Sequence, residues 1–157
     1  MSRQRLDRHV NSTVVALALV VIILDTVTKL WARHTLEGHS IHLLGGAWLR
    51  LQYNAGISFS INQSGPLVTT IITAFIVIVV VAVGIRANAG APAVGFGLLL
   101  GGGVANLVDR LSTTHYRVTD FVSVGSFPVF NLADASITIG FVVLVVAAIR
   151  GERLLNR

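Results

Sequence analysis

The chain has 157 residues, of which 54% are hydrophobic and only 12% charged, with a formal net charge of +5. Soluble domains carry about 25% charged residues, so this chain, with a mean hydropathy of +0.77, predicts one integral membrane domain over residues 1–157. The basic residues form no run with interleaved aromatics, which excludes a nucleic-acid partner, and the lack of Cys excludes disulfides, thiol nucleophiles and Cys-rich metal sites.

Four stretches are predicted to be transmembrane helices, because crossing the hydrocarbon core takes about 20 mainly apolar residues. They cover residues 13–32, 66–85, 91–110 and 131–150. The second contains no charge, whereas the other three carry Asp, Asn or Lys near one end. A cleaved secretory signal peptide is the alternative for the first stretch, but no small-x-small cleavage site follows its apolar part.

Basic residues beside these spans predict their orientation. The segments before the first span, between the second and third, and after the fourth contain Arg3, Arg5, Arg8, Arg86, Arg150, Arg153 and Arg157. The positive-inside rule places these short segments and both termini in the cytoplasm. The bias is modest, because the other side carries Lys29, Arg33, Arg50, Arg110 and Arg117. Segments 36–63 and 111–130 are then extracytoplasmic, and the polar ends of three spans meet at the outer level.

Both outer segments have strand-like patterns. In the first, apolar and polar residues alternate in "LRLQY" at 49–53, and Asn54 and Gly56 mark a turn. The second segment is rich in β-branched and aromatic residues and carries Asp120, while "HSIH" at 39–42 is interpreted as a loop or strand edge. The predicted fold class is a membrane all-α bundle of four transmembrane helices plus a small extracytoplasmic β element.

Asp25 and Lys29 are ionisable residues within the first span. Such residues are costly, by roughly 2.5–3.5 kcal/mol at the bilayer centre, and usually face the protein interior. Their i, i+4 spacing with the acid first is the favourable helical order. We interpret them as an ion pair that fixes the first helix against its neighbours, with a substrate contact as the alternative.

The pattern Asn-x-x-Asp occurs twice, as "NLVD" at 106–109 and "NLAD" at 131–134. Residues three apart share a helical face, and an Asn side chain can orient a carboxylate or hold a peptide carbonyl. One copy alone is typical of a helix cap or an interhelical hydrogen bond, but two copies meeting at one level favour a site. Asp109, Asp120 and Asp134 all remain candidates for a pair of carboxylates.

Paired carboxylates offer one complete hydrolytic chemistry. Two carboxyl groups a few ångströms apart cannot both ionise readily, so they share a proton. The ionised partner can take a proton from water while the protonated one polarises a carbonyl, as in aspartic proteases. No metal or cofactor is needed.

Other hydrolytic and phosphate-binding sites fit the sequence less well. Ser58 or Ser60 could combine with Lys29 or His115, but there is no Gly-x-Ser-x-Gly elbow. The histidines lack the helical spacing of a zinc hydrolase. The "GGG" at 101–103 lacks the Lys-Ser/Thr of a phosphate loop and favours close helix contact instead.

Five blocks, in order along nearly the whole chain, resemble the bacterial lipoprotein signal peptidases, the type II signal peptidases. They are "DTVTK" at 25–29, "NAGISFS" at 54–60, "GGGVANLVDR" at 101–110, "VTDF" at 118–121 and "FNLAD" at 130–134. The resemblance implies a four-helix membrane fold with an extracytoplasmic β-cradle. It also implies cleavage of diacylglyceryl-modified prolipoproteins immediately before the lipidated Cys.

The same resemblance assigns residues. It places the catalytic aspartates at Asp120 and Asp134. Supporting or substrate-binding roles carry over to Asn54, Gly56, Asn106, Asp109, Arg110, Asn131, Asp25 and Lys29. We therefore expect an aspartic endopeptidase of the bacterial cytoplasmic (inner) membrane, without a cofactor. We expect it to be a monomer with its site near the outer face, and its partners to be lipid-modified prolipoproteins and membrane phospholipids.

Two other functions are compatible with buried acids in a membrane. A proton-coupled transporter or channel subunit would use the same residues to relay protons. A non-catalytic membrane scaffold is the third possibility. A transporter should place charge along a path across the membrane, whereas the acids of these spans cluster at one face, and a scaffold needs no converging carboxylates.

Overall fold

This computed structural model describes residues 11–56, 65–113 and 115–156. These residues form four long helices, one small sheet and the loops that connect them. The elements in chain order are α1 (Ser12–Thr35), β1 (Ser40–His42), β2 (Ala47–Asn54), α2 (Gly65–Gly84), α3 (Ala91–Ser112), β3 (Val118–Val124) and α4 (Leu132–Ile149). The predicted fold class, a membrane bundle of four helices with a small β element, is confirmed.

The helices are built for an apolar solvent. Each is long and apolar enough to cross a bilayer, and large side chains such as Phe75, Ile78 and Phe141 remain exposed on their outer surfaces. A helix that is apolar all round is expected in a membrane rather than on a soluble protein. Helix α1 continues three residues beyond the predicted span 13–32, and this last turn carries Arg33 towards the sheet.

Helix α3 is the centre of the bundle and contacts α1, α2 and α4. Its glycines allow these contacts, as the "GGG" pattern predicted. A Cβ atom placed on Gly101 would lie 2.7 Å from Val21 Cβ of α1, and one placed on Gly102 would lie 2.5 Å from the Ala133 carbonyl oxygen of α4. Two successive positions of α3 therefore face two different helices, and neither has room for a side chain.

The three strands form one antiparallel sheet in the order β1-β2-β3. The interpretation of residues 39–42 as a loop or strand edge is confirmed, because β1 is an edge strand. Strand β2 pairs with β3 so that Gln52 lies opposite Asp120, after an irregularity in register that begins at Leu49. Phe121 of β3 is buried against Leu36, just after α1, and this contact seats the sheet on the end of the bundle.

We expect Gly102→Ala to lower the free energy of unfolding by about 1–3 kcal/mol, which is typical of overpacking. The added methyl group would meet a backbone carbonyl of α4, which cannot turn away as a side chain can. The apparent melting temperature of the purified protein in detergent is the measurement.

Gly103→Ala is the matched control for this prediction. A Cβ atom there would meet only Val77 Cγ2, at 3.1 Å, and that side chain can shift by a few tenths of an ångström. Equal melting temperatures for the two variants would contradict the close contact between α3 and α4.

Candidate active site

The second Asn-x-x-Asp copy forms the beginning of α4. Asn131 is the N-cap residue, and its Oδ1 accepts a hydrogen bond from the Asp134 backbone N–H at 2.9 Å. Asp134 Oδ2 accepts in return from the Asn131 N–H at 3.2 Å. This capping box confirms the cap interpretation of this copy. It also fixes Asp134 in the first turn, at the positive end of the helix dipole, where a carboxylate is stabilised.

The first copy joins three helices. Asn106 Nδ2 of α3 donates to Asp134 Oδ1 at 2.8 Å. The Oδ1 atom of Asn106 accepts from Lys29 Nζ at 2.8 Å and from Asn131 Nδ2 at 3.2 Å. Because two donors meet the amide oxygen, the amide N–H group of Asn106 must face Asp134.

The Asp25–Lys29 ion pair predicted from the i, i+4 spacing is confirmed. Lys29 Nζ lies 2.7 Å from Asp25 Oδ2, and the two residues are 3% and 1% exposed. Asp25 Oδ1 also accepts from the Ala133 backbone N–H at 2.8 Å. The pair therefore ties α1 to the first turn of α4, one residue before Asp134.

Asp109, on α3, lies between cations and a backbone N–H group. Its Oδ2 atom accepts from the Thr119 N–H at 2.6 Å and lies 3.5 Å from Lys29 Nζ. Its Oδ1 atom pairs with the guanidinium of Arg33. Both oxygens of Asp109 thus have partners on α1 or β3, whereas those of Asp134 accept from Asn106 and Asn131.

Asp120 is on β3 and is completely buried. Its Oδ2 atom accepts from Asn54 Nδ2 at 2.9 Å, and its Oδ1 atom accepts from Asn131 Nδ2 at 2.7 Å. Burial raises the pKa of the Asp120 carboxyl to about 6; the hydrogen bond from Asn54 opposes this rise, and the charge of Asp134 adds to it. Asn131 therefore contacts both aspartates, donating to one side chain and capping the helix that carries the other.

Arg110 and Gly56 lie beside this network. The Arg110 side chain is 8% exposed, and its Nε atom has no hydrogen-bond partner among the described residues. Gly56 has a φ of +87° and donates its N–H to Asn54 Oδ1 at 2.7 Å. A Cβ atom on Gly56 would lie 3.0 Å from Arg110 Nη2 and 2.4 Å from Thr69 Cγ2. A glycine is therefore required here both by the backbone angle and by the lack of space.

Two apolar cavities reach the network along different faces of α4. One, of about 240 Å³, lies between α2, α3 and α4 and is lined by Asn106 and Arg110 among aliphatic side chains. The other, of about 490 Å³, lies between residues 127–130 and α4 and is lined by Asn54 and Asp134. Polar groups and apolar space thus meet at one end of the bundle, as in binding sites for largely apolar ligands.

The structure brings together nearly all of the residues predicted from the sequence. A continuous set of hydrogen bonds and ion pairs joins Asp25, Lys29, Asn54, Gly56, Asn106, Asp109, Asp120, Asn131 and Asp134. Arg110 lies against this set without a hydrogen bond from its Nε atom. The rest of the "NAGISFS" block, with Ser58 and Ser60, falls outside the described residues.

Sequence reasoning missed two members of the network, Arg33 and Thr119. Arg33 carried a usable signal, because it continues the i, i+4 series of Asp25 and Lys29 along α1. The sequence pattern was interpreted only as placing a positive charge at Arg33 on the outer side of the membrane. Thr119 had no pattern of its own, since its role depends on contacts with α1 and α3 that are distant in sequence.

Comparison with known proteins identifies the family. Residues 17–150 match the sequence model of the family described as Signal peptidase (SPase) II. The chain belongs to the signal peptidase II family. Similar relatives include lipoprotein signal peptidases of Mycobacterium leprae, 38% identical with 87% of this chain and 71% of the relative covered, and of Rhodococcus jostii, 39% identical with 86% and 71% covered.

A solved structure of a bacterial membrane enzyme has the same fold. It matches with a TM-score of 0.77 and 30% identity, covering 89% of this chain and 89% of that chain. The resemblance to type II signal peptidases drawn from five sequence blocks is therefore confirmed, and the chain is a membrane protease. A transporter or scaffold is not favoured. The catalytic type and the roles of individual residues remain predictions.

The ion pair at Lys29 gives a stability prediction. Lys29→Met leaves Asp25 without its cation in a buried site, and breaking a buried pair in this way typically costs about 3–5 kcal/mol. Asp25→Asn should lower the free energy of unfolding less. The oxygen of the introduced amide can still accept from the Ala133 N–H, and Lys29 keeps its ion pair with Asp109 and its hydrogen bond to Asn106. Thermal unfolding in detergent compares the two variants, and a larger loss for Asp25→Asn would overturn this account.

Proposed function

We propose that this signal peptidase II is an intramembrane aspartyl endopeptidase in which Asp120 and Asp134 form the catalytic dyad. Its substrates are diacylglyceryl-modified prolipoproteins, which it cleaves just before the lipidated Cys. The observation that carries the proposal is the position of Asn131. Its side chain donates to Asp120 Oδ1 and its backbone N–H donates to Asp134 Oδ2, so carboxyl groups from β3 and α4 converge on one residue.

The charges around the dyad support a singly protonated pair. Among the described residues, the network and its immediate surroundings contain four carboxyl groups, Asp25, Asp109, Asp120 and Asp134. They contain three cations, Lys29, Arg33 and Arg110. With all four carboxyl groups ionised, the site would carry a net charge of −1, and a low-dielectric site disfavours net charge. One proton held by the dyad makes the site neutral.

The surroundings of the two aspartates differ in a way that supports a proton on Asp120. Asp134 lies at the N-terminus of α4 and is half-buried, with the Asn106 amide and the Asn131 N–H donating to it. Asp120 is fully buried on a strand, and burial raises its pKa to about 6 although the amides of Asn54 and Asn131 donate to it. Asp134 is accordingly the ionised base and Asp120 the proton donor at the start of the reaction.

Hydrolysis then follows the aspartic-protease pattern. Asp134 takes a proton from a water molecule, whose oxygen forms a bond to the scissile carbonyl carbon, while Asp120 donates its proton to the carbonyl oxygen. The tetrahedral intermediate collapses, the C–N bond breaks, and the proton held by Asp134 goes to the departing amine of the lipidated Cys. The hydroxyl proton of the intermediate returns to Asp120, which restores the starting state.

The cavities support an amphipathic, lipid-linked substrate. Apolar walls on two faces of α4 suit acyl chains and the apolar part of a signal peptide. Arg110 is buried at the polar end of one cavity, and its Nε atom has no hydrogen-bond partner in the part of the chain that the structure describes, so it is placed to donate to a peptide carbonyl of the substrate. A buried donor without a partner is costly unless a ligand satisfies it.

The location of the enzyme is part of the proposal. The positive-inside pattern of the sequence favours both termini in the cytoplasm of a bacterium, with the sheet and the dyad near the outer face of its cytoplasmic (inner) membrane. Translocated prolipoproteins reach that face. We also propose that the enzyme works as a monomer surrounded by phospholipids, since one chain is sufficient to supply both aspartates and amide donors to each of them.

Cleavage of a synthetic diacylglyceryl-Cys precursor by the purified protein tests this function. Asp120→Asn and Asp134→Asn should each lower kcat on the order of 10³-fold or more, because each removes one member of a unit that acts together. The same precursor without the diacylglyceryl group should be cleaved far more slowly. Glu152→Gln, which alters an exposed acid at the opposite end of the bundle, is the control and should retain wild-type turnover.

Two results of this experiment would overturn the assignment. If either dyad variant cleaves at the wild-type rate, that residue is not catalytic. If Asp109→Asn abolishes turnover while Asp120→Asn is tolerated, the working pair is Asp109 with Asp134.

The raised pKa of Asp120 predicts the pH dependence. A raised pKa means that the proton stays bound to higher pH, so the active form with Asp120 protonated is half-depleted near pH 6. The profile of kcat/KM, which reports the free enzyme, should therefore have a basic limb with a midpoint near pH 6. Of the charged groups on the helices that act on Asp120, Asp134 adds to the rise in its pKa and Lys29 opposes it.

The profile of kcat gives an internal check. Bound substrate excludes water from the half-buried Asp134 side of the dyad and lowers the local dielectric, which moves the basic limb of kcat to a pH above that of kcat/KM. A kcat/KM profile that is flat from pH 5 to 8 would show that the proton on Asp120 does not limit the reaction.

A further inference from the structure

Arg33 joins the last turn of α1 to the strand that carries Asp120. Its Nε atom donates to Thr119 Oγ1 at 2.9 Å, and its Nη2 atom pairs with Asp109 on α3. Arg33 is 29% exposed, so it stands at the edge of the network rather than in its centre. The planar fork of a guanidinium allows one side chain to bind two acceptors in a fixed geometry.

Thr119 is held at every polar group that it has. Its hydroxyl accepts from Arg33, its backbone N–H donates to Asp109 Oδ2 at 2.6 Å, and its carbonyl oxygen accepts from Asn131 Nδ2 at 3.3 Å. The residue is completely buried. Side chain and backbone are thus fixed by three groups that belong to α1, α3 and the cap of α4.

These three contacts of Thr119 determine where Asp120 lies. Successive side chains of a strand point to opposite faces, so the orientation of Thr119 sets that of the next residue. Pairing with β2 supports Asp120 from one side only, because the register of β2 and β3 is regular from the Gln52–Asp120 pair to the Asn54–Val118 pair but irregular between Gln52 and Leu49. The Thr119 N–H is directed at Asp109 and not at β2.

We propose that Arg33 is a positioning residue for catalysis, which acts through Thr119 and Asp109 to hold the Asp120 carboxyl group in its working place. The inference rests on the proposed role of Asp120. Lys29 cannot replace Arg33 in this task, because its ammonium group lies 2.7 Å from Asp25 and 3.5 Å from Asp109 and makes no contact with Thr119.

The test uses the full chain in detergent and the diacylglyceryl-Cys precursor peptide. Arg33→Gln and Thr119→Val should each lower kcat by about tenfold while KM changes less than about twofold, since a small misplacement of a catalytic group affects the chemical step and not binding. Arg33→Lys should lie between wild type and Arg33→Gln. Arg50→Gln is the matched control, because Arg50 is an exposed arginine on the same sheet.

The double variant and the pH profile separate positioning from general stability. If both residues act through one contact, Arg33→Gln with Thr119→Val should lose little more activity than either single variant. The basic limb of kcat/KM should also move in both single variants, because the surroundings of Asp120 change. Thr119→Val keeps the backbone and the volume of the residue, so it still tests the contact if Arg33→Gln fails to fold.

Three outcomes would overturn the inference: wild-type kcat and pH profile in Arg33→Gln, a wild-type result for Thr119→Val, or multiplied losses in the double variant. These are distinguishable from failure of the proposed dyad. If Asp120→Asn is inactive but Arg33→Gln behaves as wild type, only the positioning role fails. If Asp120→Asn is active, the dyad itself fails.

Discussion

A carboxylate that is buried in a membrane protein must have hydrogen-bond donors or cations beside it. The arrangement of the helices and the sheet in this structure follows from that requirement. Water and lipid cannot satisfy Asp25, Asp109 and Asp120 in their buried positions, so donors must come from other elements of the chain. Asp25 on α1 accepts a hydrogen bond from the Ala133 N–H of α4, and Asp109 on α3 accepts one from the Thr119 N–H of β3. The helix ends and the sheet are therefore assembled by acids that neighbour the proposed dyad, and stability is coupled to the geometry of the candidate site at this end of the bundle.

The sequence predicted the architecture well, because its signals are local. The apolar run of α2 and the alternation in β2 each reflect contacts that neighbouring residues make, and the Asp25–Lys29 spacing describes a pair within one helix turn. Asp120 was beyond such reasoning, because its partners Asn54 and Asn131 come from other elements. Only the resemblance to a known family singled it out. Arg33 and Thr119 are separated by 86 residues, and no local pattern connects them.

Close contact of the helices is the second condition for the site. Gly101 and Gly102 let α1 and α4 approach the backbone of α3, and this proximity allows side chains as short as Asn106 and Asp134 to meet across helices at 2.8 Å. Longer side chains could span a wider gap, but with more rotamer freedom to lose. The glycines therefore contribute to the precision of the site although none of them touches the dyad.

The capping box of α4 gives the proposed reaction a link to the backbone. In the proposed mechanism Asp134 is the base, and it is also the N3 residue whose carboxylate accepts from the Asn131 N–H and faces the helix dipole. When it takes a proton from water, it loses the charge that favours this position, an interaction of about 0.3–1 kcal/mol in typical helices. The first turn of α4 is then held less firmly in the intermediate than in the resting enzyme. Because this turn borders the larger cavity, the proposed mechanism implies that one wall of that cavity loosens slightly in each catalytic cycle.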